Sequence, residues 1–278
     1  MKVLKASISV VITALALSLS PGAPVRAADD EAGALTRQMK EFYRAGKYME
    51  ALPLAQKALA LREKEFGPDD SKLADSLNDL GTIHYNLGQY AVAEPLYKRS
   101  LAINEKTYGP DHPEVAMILN NLGDLYRAEA RYADAEPLLK RSIAIDEKTI
   151  GRDASPIVLP LSNLADAYIN QHRYADAERL LKRAIAVTSK AYGPDHPDVA
   201  QALNNLGALY ARQGRNAEAE RSFKLSVATM EKTLGPNHPD LADVLENLAG
   251  FYRDQGRMAD AREAIKRSMA IRGKTGAI

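Results

Sequence analysis

One spacing of 42 residues recurs along the whole chain, and it limits the possible folds more than any single motif does. The phrase Tyr-Gly-Pro-Asp-His-Pro begins at Tyr108 and again at Tyr192, which is 84 residues or two periods later. Three independent series keep the spacing: Tyr48, Tyr90, Tyr132 and Tyr174; Gly67, Gly109, Gly151, Gly193 and Gly235; and Leu80, Leu122, Leu164, Leu206 and Leu248. A fixed period of this length indicates a repeat array, so each motif belongs to a module.

Each module has the pattern of two helices joined by a turn. In residues 113–130 the apolar side chains recur at steps of three and four, and residues 132–150 carry a second apolar stripe. At the joint between modules we expect the helix to end at Gly109, because the following Pro110 cannot continue a helix. Gly109 itself should take the left-handed conformation that often ends a helix. Asp111 or His112 then caps the next helix, with Pro113 in its first turn.

One joint departs from this pattern, and small residues mark the helix contacts. Gly151-Arg152-Asp153-Ala154-Ser155 replaces the Gly-Pro-Asp-His-Pro joint, which predicts a local irregularity.

Small residues recur at one position of the first helix and at one position of the second helix. On the first helix they are Gly81, Gly123, Ala165, Gly207 and Ala249, and on the second helix they are Ala93, Ala135, Ala177, Ala219 and Ala261. We expect the paired helices to approach closely at these positions.

These segments carry a family resemblance. The runs LNNLGDLY at 119–126 and LNNLGALY at 203–210, the segment AEPLYKRSLAI at 93–103 and the YGPDHP joints resemble tetratricopeptide repeats of the 42-residue, kinesin light chain-like type. The match covers about residues 32 to 272. The resemblance implies an all-α, right-handed α-solenoid of about six stacked helix hairpins, whose first helices line a concave groove that binds protein segments. The expected organisation is a repeat solenoid over residues 28–272 with a short tail at 273–278.

The first 27 residues have the order of an export signal. Lys2 and Lys5 precede an apolar run from Ile8 to Leu19, and Val25-Arg26-Ala27 supplies small residues before Ala28. This order predicts a signal peptide cleaved after Ala27 and a bacterial protein exported to the periplasm or secreted. An uncleaved anchor is the alternative, but the run is short for a membrane span. We expect no integral membrane span after cleavage.

The composition and motifs argue against several classes of function. The 37 basic and 36 acidic residues nearly balance, so the chain lacks the basic excess of a nucleic-acid binder, and its lack of cysteine excludes thiol chemistry. His112, His196 and His238 sit one or two modules apart, which favours turn chemistry over a metal site. Gly273-Lys274-Thr275 lacks the earlier glycine of a phosphate-binding loop, since position 268 is serine. The sequence predicts no enzyme activity, cofactor or metal.

Basic pairs recur on the second helices: Lys98-Arg99, Lys140-Arg141, Lys182-Arg183 and Lys266-Arg267. They could form a ridge for nucleic acid or anionic lipid. Glutamates four residues before Lys98, Lys140 and Lys182 favour an internally paired, solvated surface instead.

A polar series on the first helices is the best candidate site. Asp79, Asn121, Asn163, Asn205 and Asn247 share one position, and Asn78, Asn120, Ser162, Asn204 and Glu246 precede them. Asparagine is a poor residue for the middle of a helix, so its repeated use needs a reason. One reason is hydrogen bonding between repeats. The other, implied by the resemblance, is that the amides hold the backbone of an extended peptide. The predicted groove residues are Asn78, Asp79, Asn120, Asn121, Asp124, Arg127, Asn163, Asp166, Asn204, Asn205, Arg212 and Asn247.

The expected groove is acidic, and this shapes the functional prediction. The alignment with the family places seven acids in it, against the three bases Arg127, Arg212 and Arg253, which departs from members that hold a carboxylate with clustered bases. We therefore expect a non-catalytic scaffold that binds neutral-to-basic extended segments of protein partners. The alternative is a structural or assembly subunit that acts by self-association or as an accessory part of an envelope complex.

Overall fold

A computed structural model describes residues 23–275 of the chain, and the side chains of residues 29–273. Twelve α-helices and no strand occur in this range. The helices are α1 Ala23–Arg44, α2 Tyr48–Phe66, α3 Lys72–Asn86, α4 Tyr90–Tyr108, α5 Pro113–Ala128, α6 Tyr132–Thr149, α7 Val158–Asn170, α8 Tyr174–Tyr192, α9 Pro197–Arg212, α10 Asn216–Leu234, α11 Pro239–Asp254 and α12 Met258–Thr275. The predicted all-α solenoid of six hairpins is confirmed.

The hairpins stack in chain order. Each odd-numbered helix packs on the even-numbered helix that follows it, and the even-numbered helices from α2 to α10 pack on the next hairpin. From α3 to α11 the odd-numbered helices also touch one another across hairpins, whereas the even-numbered helices make no comparable contact. Because the odd-numbered helices lie closer together, they line the inner curve, as the family resemblance implied.

The joints between hairpins are built as the sequence predicted, with one correction. The glycines at the joints have φ between +81° and +98°, but Gly67, Gly109, Gly193 and Gly235 have ψ between 160° and 172°. This is an extended positive-φ region that is open almost only to glycine, and it differs from the left-handed helical conformation we expected. His112, His196 and His238 are the N-caps, and each Nδ1 accepts a hydrogen bond from the backbone N–H two residues later, at 3.2–3.3 Å.

The joint after α6 is irregular, as predicted. Ala154 stands at the capping position and has no side chain that could accept a hydrogen bond. Residues Ser155–Ile157 form a 3₁₀ turn, and α7 begins only at Val158. The module at the centre of the chain therefore has a shorter first helix than its neighbours.

The small residues of the first helices allow close contact within a hairpin. A Cβ added at Gly123 would lie 2.7 Å from Cγ of Leu139, and one at Gly81 would lie 2.9 Å from the ring of Tyr97. At Gly207 the ring of Phe223 occupies the same place at 2.9 Å. The predicted close approach is confirmed, and its partner is the residue 16 positions later, on the second helix.

The predicted signal peptide lies mostly outside the described residues. The expected cleavage position after Ala27 falls within α1, and the signal peptide and the export route stay predictions. Among residues 23–275, no helix has both the length and the apolar character that crossing a bilayer requires.

Candidate functional site: the inner groove

The polar series on the odd-numbered helices forms a ladder of hydrogen bonds between hairpins. Nδ2 of Asn121 donates to Oδ1 of Asn78 on the preceding hairpin at 2.8 Å, and Nδ2 of Asn163 donates to Oδ1 of Asn120 at 3.0 Å. Within α5, Nδ2 of Asn120 donates to Oδ1 of Asn121 at 3.4 Å. The four amides thus join three hairpins. This is hydrogen bonding between repeats, one of the two roles that the sequence left open for the asparagines.

The ladder is interrupted between the fourth and fifth hairpins. Asn205 should donate to position 162, but Ser162 turns its hydroxyl back to the carbonyl of Val158 at 2.9 Å. Oδ1 of Asn205 accepts from Gln201 at 3.3 Å, and its Nδ2 has no partner in the described residues. The ladder resumes when Asn247 donates to Asn204 at 3.3 Å. The interruption leaves one amide donor free on the inner surface.

A cleft of about 300 Å³ opens at this interruption. Its walls include six polar side chains, those of Arg127, Ser162, Asn163, Asp166, Asn205 and Arg212. Five of these six side chains were predicted as groove residues. The cleft therefore brings together five of the twelve predicted groove residues.

The charges around the cleft are largely neutralised. Arg127 donates from Nε to Asp124 and from Nη1 to Asp166, both at 2.8 Å, so one base holds the acids of two hairpins. Arg212 donates to Oδ1 of Asn170 at 3.3 Å and is otherwise exposed. A bound segment would meet hydrogen-bonding groups here, with little net charge.

The other predicted site residues lie outside the lining of this cleft. Asn120 and Asn204 are only 6% and 4% exposed, so they lie between hairpins and offer little surface to a ligand. Asp79 is half-buried near the amino-terminal end, where burial raises the pKa of its carboxyl and Lys40 lies 3.6 Å away. The sequence count of groove charge had omitted Lys40 and also Arg272, which binds Asp243 and Glu246.

The first three basic pairs on the even-numbered helices are paired internally, as the glutamate spacing indicated. In the fourth pair, Lys266 follows Arg262 instead of a glutamate and forms no ion pair among the described residues. Lys98, Lys140 and Lys182 lie 2.6–2.7 Å from the glutamates four residues before them. Arg99 and Arg141 bind Glu63 and Glu105 of the preceding hairpin. These side chains form the outer surface and hold hairpins together, and they do not form a free basic ridge.

The chain belongs to the tetratricopeptide repeat family. The family profile matches residues 31–106, 74–148, 157–232 and 200–274, which together span most of the sequence. These segments end where hairpins end, so the profile and the twelve helices divide the chain in the same way.

Solved structures of similar fold include repeat proteins from fungi and bacteria. One, described as a kinesin light chain of Podosopora anserina with nearly identical TPR-like repeats, is 23% identical over 76% of this chain and 96% of that chain, with a TM-score of 0.59. BtubC of P. vanneervenii is 20% identical over 91% of this chain and 93% of its own, with a TM-score of 0.63. A Rap protein is 16% identical over 87% of this chain and 76% of its own, with a TM-score of 0.60.

These identities are low, so the likeness concerns the fold. A search of curated proteins finds no match to the chain.

Proposed function

We propose that the protein is a non-catalytic scaffold that holds an extended segment of another protein in its inner groove. The observation that carries the proposal is the interrupted amide ladder at Ser162 and Asn205, where a free donor faces a cleft. An extended polypeptide has backbone N–H and C=O groups that need partners, and a side-chain amide can serve both kinds. A Rap protein of this fold has been crystallised in complex with competence and sporulation factor, so a helical array of this kind can bind a partner.

The charge of the groove favours neutral-to-basic segments. Arg127 is already shared by Asp124 and Asp166, so the central cleft has no clustered bases to bind a carboxylate. Asp75, which is exposed on α3, adds negative charge towards the amino-terminal end. An acidic segment would be repelled there, and at the centre it would meet only one cation outside an ion pair, Arg212.

The test compares binding in solution by the intact protein and two asparagine variants. Pools of labelled peptides matched in length and apolar content, one acidic and one basic, are titrated with the protein by fluorescence anisotropy. We expect the basic pool to bind more tightly, and Asn205→Ala to weaken its binding while the melting temperature is unchanged. A preference for the acidic pool would contradict the charge assignment.

The matched control is Asn121→Ala, whose side chain is bonded within the ladder. Removing that side chain leaves Oδ1 of Asn78 without its donor and Nδ2 of Asn120 without its acceptor, so this variant should lose stability by about 1 kcal/mol. If both variants lowered stability equally and neither changed binding, the asparagines would be structural only and the groove proposal would fail.

The export route is part of the same proposal. We infer that the mature protein begins at Ala28 and acts outside the cytoplasm. Mass spectrometry of the protein from the cell envelope or the medium would show an amino terminus at Ala28. A protein recovered only from the cytosol with residues 1–27 attached would overturn this inference.

A further inference from the structure

The last hairpin has an apolar outer face. A cavity of about 1060 Å³ lies along α11 and α12, and Met258, Ile265 and Met269 are 53%, 40% and 67% exposed on α12. Val227, one period before Met269, is only 8% exposed, because the next hairpin covers it. The last hairpin therefore carries apolar side chains at positions where an inner hairpin contacts the next hairpin.

The first hairpin is different, because polar residues cover its outer face. Glu31, Gln38 and Glu41 are exposed on α1, at the positions that hold Val115, Leu122 and Leu125 on α5. Repeat arrays need polar outer faces at their ends for solubility. The first end has such a cap, whereas α12 leaves apolar surface uncovered in the part of the chain that the structure describes.

On the outer face of α12, one position has the opposite charge to the equivalent position at the inner interfaces between hairpins. Glu94, Glu136, Glu178 and Glu220 occupy one position of the second helices, and each binds an arginine of the following hairpin at 2.7–3.0 Å. The same position on α12 is Arg262, which is exposed. A following hairpin with the usual arginine would meet a like charge here, which is unfavourable.

We propose that this end face binds an amphipathic helix of a partner protein that carries a carboxylate where this chain's own hairpins carry arginine. Arg262 and Lys266 lie beside the apolar residues, and Glu246 is already bound by Ser268 and Arg272. The apolar stripe of the helix covers Ile265 and Met269, and its acid pairs with Arg262.

A second copy of this chain fits the face poorly in either orientation. Stacked head to tail in register, its Lys47 would approach Arg262, and Glu31 and Glu41 would face the apolar surface. Placed tail to tail, two faces carrying Arg262 and Lys266 would meet. Charge complementarity therefore favours an acidic partner over self-association.

A charge-reversal experiment tests this proposal. The probe is a labelled peptide of residues 239–258, which includes a first helix and the arginine that follows it, made with Arg257 and with Arg257→Glu. We expect the glutamate peptide to bind the full chain about tenfold more tightly than the arginine peptide, and Arg262→Glu in the chain to reverse the preference.

Two further variants place the binding on this face. Met269→Asp should abolish binding of both peptides, whereas Met117→Asp, at an exposed methionine of α5, should leave it unchanged. Equal binding of the two peptides, or binding insensitive to Met269→Asp, would overturn the proposal. A dimer seen by light scattering that Met269→Asp dissociates would make a second copy the occupant instead. Asn205→Ala serves as a check, since it alters only the groove.

Discussion

At the scale of single residues, the contact between Gly123 and Leu139 limits what the hairpin can tolerate. The Cβ of any other residue would meet Cγ of Leu139 at 2.7 Å, so the leucine side chain or its helix would have to shift. We expect Gly123→Leu to lower the free energy of unfolding by about 1–3 kcal/mol, as overpacked cores do. Gly250→Leu is the matched control, because that helical glycine has no atom within 4 Å of its added Cβ. Urea denaturation measures both, and equal stability of the two variants would contradict the contact.

The turn within each hairpin holds a second residue-scale feature. Gly46, Gly88, Gly214 and Gly256 take a positive φ of 71–73°, whereas the fourth and third hairpins use His172 and Ala130 at φ 60° and 58°. For a residue with a Cβ, this left-handed conformation costs about 1–2 kcal/mol of conformational free energy.

We therefore expect Ala130→Gly to stabilise the protein slightly, by up to about 1 kcal/mol, because the relief of strain exceeds the added entropy of glycine in the unfolded chain. The reciprocal change, Gly214→Ala, should destabilise it. Calorimetry gives both melting temperatures, and a drop for Ala130→Gly would show that the turn is not strained.

At the scale of helices, a repeated cluster of charged and aromatic side chains joins successive hairpins. The carboxylate of Glu178 accepts hydrogen bonds from Tyr210 and Arg215 of the next hairpin, at 3.1 and 2.7 Å, and lies 2.7 Å from Lys182. Burial would raise the pKa of Glu178, but these partners outweigh it and lower the pKa to about 2. Glu94 and Glu220, bound first by Lys98 and Lys224, also have pKa values of about 2.

These lowered pKa values set a direction for the pH dependence of stability. An unfolded glutamate has a pKa near 4.5, so the stabilisation is complete above that pH and is lost as the pH falls from about 4.5 to about 2. We expect the melting temperature to fall across this window, and Glu178→Gln to flatten the fall and to weaken the protein at pH 7 by about 1–3 kcal/mol. Glu263→Gln, on the exposed surface of α12, is the control. An unaltered pH profile for Glu178→Gln would refute the linkage.

One ion pair of a repeating series on the outer surface is absent, because both of its charged residues are replaced. Glu63, Glu105 and Glu147 bind Arg99, Arg141 and Arg183 at 2.5–2.6 Å. One period later, Ser189 on α8 and Leu225 on α10 occupy these two positions. Leu225 is 50% exposed. We expect Ser189→Glu together with Leu225→Arg to add about 0.2–1 kcal/mol, more than the sum of the single changes. A double-mutant cycle in denaturant measures this coupling, and strict additivity would show that no pair forms.

The repeat period predicted the elements well, because the caps and the apolar stripes are local features. The irregular turn before Val158 could be read from neighbouring residues, whereas the N-cap of the regular joint was limited only to Asp111 or His112, and the structure identifies His112. The period could not show which amide donates to which, because that depends on how hairpins stack. It also missed that Ser100 and Ser142 donate to the carbonyls of Ala74 and Ala116 at 2.8 Å, within each hairpin. The signal for the cleft was present, since Ser162 alone breaks the asparagine series with a shorter side chain.

At the scale of the whole molecule, the apolar core divides along the solenoid. One cluster of buried side chains extends from Met39 to Ile103 and serves the first two hairpins. A larger cluster extends from Ala93 to Ile271 and serves the later ones. Both clusters use side chains of α4, so the division runs along that helix. In repeat proteins each unit contacts only its neighbours, so stability is close to a sum of local terms.

The divided core predicts that the first two hairpins open without the rest. Hydrogen exchange under native conditions should show α1 to α3 opening at a lower free energy than α9 to α11, because they are held by the smaller cluster. Leu77→Ala, at a fully buried side chain of that cluster, should remove about 2–5 kcal/mol and speed exchange in α1 to α4 only. Leu209→Ala, equally buried in the larger cluster, is the matched control and should speed exchange in α9 and its neighbours. If Leu77→Ala raised exchange equally in all twelve helices, the molecule would unfold as one cooperative unit, and the division of the core would carry no energetic meaning.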